Sequence, residues 1–189
     1  MTETDWGYSV DELQPILSVE NFRLLCPGLS STDEQIAAVL DAVGASVRNY
    51  CGWHVSPVLE CTFIGEGEGE MLFLPAMGVK SVDSLTVSGE QVDDFEWKHT
   101  GIVRINRRFP DRFRSVTCVY NAGFTAAAIG QVVAQIASNA IVAAPGVANE
   151  RVGDVSIAYN QTGTGITGGV SLLPRDYELL APYKLARAW

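Results

Sequence analysis

The chain has 189 residues, 47% of them hydrophobic, and a formal net charge of −9. That length supports one domain, or one domain with a sizeable insertion, built on a true core. The acidic balance argues against a protein that holds nucleic acid by neutralising phosphates, which is work for Lys and Arg, but not against one that lets nucleic acid pass. Acidic copies also repel one another, so a homo-oligomer needs apolar contact or local charge pairing to close. Cys26, Cys51, Cys61 and Cys118 are irregularly spaced with no C-x-x-C pair, and they read as free thiols rather than as a zinc site or a disulfide framework.

From the N-terminus, a Pro-interrupted stretch at Asp11 to Leu17 leads into SVENFRLL, where Ser18 can cap one or two helical turns; residues 1–31 read as a docking arm, with nothing that reads as a signal peptide. The first long helix is expected from about Thr32 to Tyr50. Thr32-Asp33-Glu34-Gln35 is a capping-box pattern, and Ile36, Val39, Leu40, Val43, Val47 and Tyr50 fall on one stripe. From about 54 to 120 the texture turns β-rich. Val58 to Ile64, Met71 to Leu74, Val82 to Val87, Ile102 to Ile105 and Arg114 to Tyr120 are short strand patterns separated by Gly, Pro or Asp turns.

Ser115 to Asn149 contains no Asp, Glu, Lys, Arg or His. Within it, Ala126 to Ala144 is nearly long enough to span a bilayer, which takes about 20 apolar residues. However, Gln131, Gln135 and Asn139 recur at four-residue spacing and give a helix one amide stripe, and no basic residue lies near either end to orient it in a membrane. Such a helix fits the middle of a soluble assembly, where its own core covers part of it and a neighbouring subunit the rest. The expected core therefore spans residues 32–149. Residues 150–189 read as an extended C-terminal arm, with a strand near Glu150 to Tyr159, a Gly/Thr-rich stretch from Gln161 to Gly169 and a short helix opened by Pro174.

Little here points to catalysis, because His54 and His99 lack a nucleophile elbow, metal-ligand spacing or a carboxylate partner. Glu66, Glu68 and Glu70 alternate with glycine and read as a solvated hairpin tip, since EF-hand ligand spacing is missing. Arg104, Arg107, Arg108, Arg112 and Arg114 form a basic cluster with three readings: a solvated or intra-subunit role, a salt bridge between subunits, or DNA contact. The second would pair Arg107 and Arg108 with Glu66, Glu68 and Glu70 of a neighbouring copy.

The order of these pieces resembles the head-to-tail connector, or adaptor, proteins of long-tailed bacteriophages. The likeness is carried by SVENFRLLCPGLSSTDEQIAAVLDAVGASVRNYCGWHV, by LFLPAMGVKSVDSLTVSGEQVDDFEWKHTGIVRI, by TCVYNAGF leading into the second helix, and by ERVGDVSIAY followed by LLAPYKLARAW. The resemblance implies an α+β fold, mainly a small bundle of long helices with the β-rich insertion between the two main ones. It implies a non-enzymatic virion protein, assembled in the host cytoplasm and placed in the neck, without cofactor, metal or membrane. Its partners would be itself, as a ring of about twelve copies, the portal protein above, and a stopper or tail-end protein below, with DNA passing through the lumen. On this reading Gln131, Gln135 and Asn139 face the next subunit, while Leu172, Leu173, Leu180, Tyr183 and Trp189 form the tip that docks on the portal. The alternatives are another neck or tail component, or a cytoplasmic ligand-binding domain.

Overall fold

The structure is a computed structural model, and it describes residues 2–142, 149–152, 155–158 and 172–185. The chain divides into two compact units. One holds residues 1–14, 51–125 and 183–189, and the other holds 15–50 and 126–182.

The first unit is made of strands. Among the described residues, β1 (Thr2–Glu3), β2 (Tyr8–Val10), β3 (Leu59–Gly65), β5 (Val79–Val87), β6 (Glu90–Gln91) and β9 (Val116–Ala122) form a six-stranded antiparallel sheet in the order β1-β2-β3-β9-β5-β6. β4 (Met71–Phe73), β7 (Phe95–Lys98) and β8 (Ile102–Ile105) form a three-stranded sheet in the order β4-β8-β7. The period-2 pattern sets the buried face. In β9 the inward residues Val116, Cys118, Tyr120 and Ala122 are all buried, and they stand in register with Cys61 on β3 and with Leu85 and Val87 on β5. The opposite face carries Ser9, Thr62, Val119 and Ser84 side by side, a mostly hydroxylated row. Both edge strands are only two residues long, which leaves little unpaired backbone for another chain to extend.

A buried polar knot fastens β2 to the segment before β3. The Ala122 carbonyl, 2.9 Å from His54 Nε2, can only accept, so Nε2 carries the ring proton and Nδ1 accepts from the Tyr8 hydroxyl at 2.7 Å. The same hydroxyl accepts the His54 backbone N–H at 3.0 Å. Beside it the Trp53 ring is fully buried, edge-on to His54 and Phe124, and its Nε1 donates to the Tyr183 carbonyl at 2.7 Å. Gly123 closes the strand at φ +133, where a Cβ would run into the Pro57 carbonyl, so only glycine fits at this exit.

The second unit is helical. α1 (Val19–Leu25) starts at Ser18, whose hydroxyl accepts the Asn21 N–H, and it buries Phe22. α2 (Asp33–Cys51) opens with the expected capping box: Thr32 N–H donates to the Gln35 side chain at 3.1 Å, and Gln35 N–H donates to the Thr32 hydroxyl at 3.3 Å. Ile36, Leu40, Val43 and Val47 form its buried stripe. α3 (Ala126–Val142) buries Ile129, Gly130, Val133, Ala134, Ile136 and Ala137. Ile16 lies against Gly44, and Leu17 comes so close to Gly130 that a Cβ there would be crowded. α4 (Pro174–Leu180) has proline in its first turn, and the Asp176 carboxylate accepts the Leu173 N–H at 2.8 Å. Tyr50 at the end of α2 packs on Tyr177, with ring centroids 4.8 Å apart. β10 (Asn149–Val152) and β11 (Val155–Ala158) pair as an antiparallel hairpin.

The α+β class holds, but the expected bundle of long helices is corrected. Among the described residues only α2 and α3 are long; strands rather than helices occupy residues 51–125, and pairing extends beyond the five predicted strands to β1, β2, β6 and β7. Within residues 1–31, read as a docking arm, Tyr8 and Val10 lie in the sheet core, and Ile16, Leu17 and Phe22 are buried. Replacing Tyr8 with Phe removes the donor to His54 Nδ1 and the acceptor of its N–H. The loss of stability should be about 1–3 kcal/mol by urea unfolding, and an unchanged midpoint would show that the knot contributes nothing.

Candidate functional site

Both ring nitrogens of His54 are committed inside the core. Among the described residues, no group of three or more His, Cys, Asp or Glu is placed to hold a metal ion, and no helix is long and apolar enough to cross a membrane. Burial pushes the Cys51, Cys61 and Cys118 thiols up from 9.0 to about 12, which keeps them protonated and unreactive at neutral pH. Unfolding lets these thiols ionise near 9.0, so the stability tied to their protons is complete below that pH and falls as pH rises toward about 12. In native protein at mildly alkaline pH a thiol reagent should label Cys26 rapidly and the other three only after denaturation; rapid labelling of all four would contradict this burial.

The residues expected at a subunit boundary lie in two exposed places. The first is the loop between β8 and β9. Phe109 is its buried foot: the ring lies over Gly67, where a Cβ would collide with it, and its N–H donates to the Gly69 carbonyl at 2.7 Å. The glycines between the glutamates are therefore more than a solvated tip, because Gly67 is the seat of an aromatic ring. Gly67→Ala should lift Phe109 and destabilise the protein by about 1–3 kcal/mol, seen as a lower thermal midpoint; no shift would mean that the ring is not held there.

Within this region Arg104 pairs with Glu70 at 3.2 Å and Arg107 reaches Glu90 at 4.0 Å, all four side chains being well exposed. Two residues of the expected inter-subunit set thus have partners in their own chain, whereas Arg108, Glu66 and Glu68 are exposed. Exposed pairs of this kind contribute little to stability.

The second place is the outer face of α3. Gln131 and Gln135 are exposed, together with Ala127, Ala128 and Val142. Asn139 is half-buried, and its side-chain NH2 makes no hydrogen bond. Gln131 and Gln135 thus lie off the face that the chain itself covers, whereas the Asn139 NH2 is covered by its own chain.

Four residues of the expected portal-docking tip are described. Leu180 is buried in the helical unit and Tyr183 lies edge-on to Phe124, so both fasten the chain to itself; Leu172 and Leu173 are half-buried. Trp189, like the stretch from Gln161 to Gly169, lies outside the described residues. Sequence reasoning passed over Phe113 and the pair Leu24-Leu25, whose exposure no periodicity reveals.

No family model and no curated protein matches this chain. Solved structures do. It resembles a chain in the neck of an empty gene transfer agent (GTA) particle computed with C6 symmetry, with a TM-score of 0.61 and 15% identity over 96% of this chain and 97% of that one. It also resembles a chain in the virion of the native GTA particle (TM-score 0.60, 16% identity) and one in the neck of the native particle computed with C12 symmetry (TM-score 0.58, 14% identity), each with the same 96% and 97% coverage. At this identity the likeness establishes a shared fold along nearly the whole length of both chains: the fold is one found in the necks of GTA particles.

Proposed function

We propose that this chain is a structural protein of the neck of a phage-like particle, acting as the head-to-tail adaptor. On this reading copies form a ring below the portal, lengthen the DNA channel and offer a surface to the next neck component. The observation that carries it is the fold match to chains of GTA necks, with 96% of this chain and 97% of the other aligned. The order of motifs that resembles phage adaptors supports it independently of that match. The charge balance agrees too, since a ring through which DNA slides should hold it weakly, and an acidic chain does so. A stopper or tail-end protein is the second reading, favoured by the strand-rich first unit, while the two long helices favour the adaptor.

In the ring, the α3 face with Gln131, Gln135 and Asn139 would meet the neighbouring subunit, with the two exposed glutamines making the contact. Arg108 with Glu66 and Glu68 would remain available for pairing across the same boundary. Images of the protein mixed with its portal should show a ring extending the portal's narrow end. The double variant Gln131→Arg/Gln135→Arg should keep its melting temperature, because both side chains are exposed, yet lose that ring by placing like charges around the closed circle. A variant that still forms the ring would remove α3 from the interface, and discrete unbound wild-type monomers would count against the adaptor reading.

A further inference from the structure

The most exposed large apolar side chain described is Phe113, at 83%, and it sits between Arg112 and Arg114 at the tip of the loop whose foot is Phe109. The tip is not a loose end. Arg112 N–H donates to the Pro110 carbonyl at 2.9 Å, Arg114 sits at φ +55, and the Ser115 carbonyl accepts the Ser88 N–H at 2.7 Å. Arg112 and Arg114 are exposed and have no carboxylate partner among the described residues. From 104 to 114 the chain carries five arginines against one aspartate, so everything outside this stretch is more acidic than the overall −9. A projecting aromatic flanked by two unpaired cations is a knob for an apolar seat with a negative rim.

The helical unit displays such a seat. On α1, Leu24 is 74% exposed and Leu25 is 45% exposed. Exposed Glu20 stands four residues before Leu24, on the same helical face. We propose that the Arg112-Phe113-Arg114 tip of one copy docks on the Glu20-Leu24-Leu25 face of a second copy, with the ring on the leucines and a guanidinium on Glu20. Knob and seat are different surfaces, so the contact is heterologous: each copy gives its knob to one neighbour and its seat to another, and the contact closes into a ring when the rotation allows. It also answers the self-repulsion of an acidic chain, because the one basic stretch is spent on the acidic remainder of the next copy. Duplex DNA is the less favoured occupant, since a stacked duplex has no apolar seat for Phe113 unless it is kinked.

The proposal rests on the ring reading and makes it specific. Sedimentation velocity of the full chain, over a concentration series at low and high salt, tests it. Wild type should self-associate, less so in high salt. Phe113→Ala and Leu24→Ala should each weaken association about tenfold or more, and the double variant should lose little beyond either alone. Arg112→Glu/Arg114→Glu should weaken it similarly, with partial recovery when Glu20→Arg is added. Far-UV circular dichroism should be unchanged in all of them, and for any variant that fails this check the salt dependence of wild type and the remaining variants decide. A wild type that stays monomeric throughout, variants that associate like wild type, or a tip whose charge reversal abolishes binding to a short duplex DNA without changing self-association would each overturn the contact. None of these results would displace the neck reading, which is decided by the portal images.

Discussion

Strand β9 is the constraint on which the first unit depends. It lies between β3 and β5, pairs with both along its whole length, and contributes four fully buried side chains from seven residues. Those pairings join segments about sixty and about thirty-five residues upstream to one register, and a slip of one residue would turn Cys118 and Tyr120 out toward the hydroxylated face. The chain then leaves β9 at Gly123, where no side chain fits, and enters α3. One uncharged run thus supplies the middle of the sheet and a principal helix of the second unit.

That continuity explains why the run contains no charge. Val116, Cys118, Tyr120 and Ala122 need none because the sheet encloses them, and Ile129, Val133 and Ile136 need none because the helical unit does. Gln131 and Gln135 are different, being exposed in the single chain yet uncharged. A helix face meant only for water would readily take Lys or Glu. Amides there can hydrogen-bond across a protein boundary without the desolvation cost of an ion, which fits a surface that is wet in one copy and covered in an assembly.

Local chemistry was legible in the sequence, and distant pairing was not. The Thr32 capping box, the Ser18 cap, the first-turn Pro174 and the alternation in Arg114 to Tyr120 each depend on residues within a few positions, and each marks a real element. By contrast, Tyr8 to Val10 is too short for periodicity to speak; it becomes a strand because Cys61 and Phe63 pair with it from fifty residues away. β7 was hidden for a related reason, since Phe95 and Trp97 alternate with Glu96 and Lys98 beside two aspartates, and the charged half masks the pattern. The exposed surface was half legible. The amide stripe of α3 has a period and was found, whereas Leu24 and Phe113 look like ordinary core residues until burial is known.

Shared fold with neck chains, an acidic chain with one basic projecting loop, and a helix with two differently finished faces are the observations behind our proposal of a ring-forming component of a particle neck. The most direct measurement is to locate the chain in intact particles: a small tag on the exposed Arg108 loop, imaged after antibody labelling. Label confined to the head-to-tail junction is the predicted result. Label over the capsid shell or at the distal tail, or particles that contain none of the chain, would contradict it.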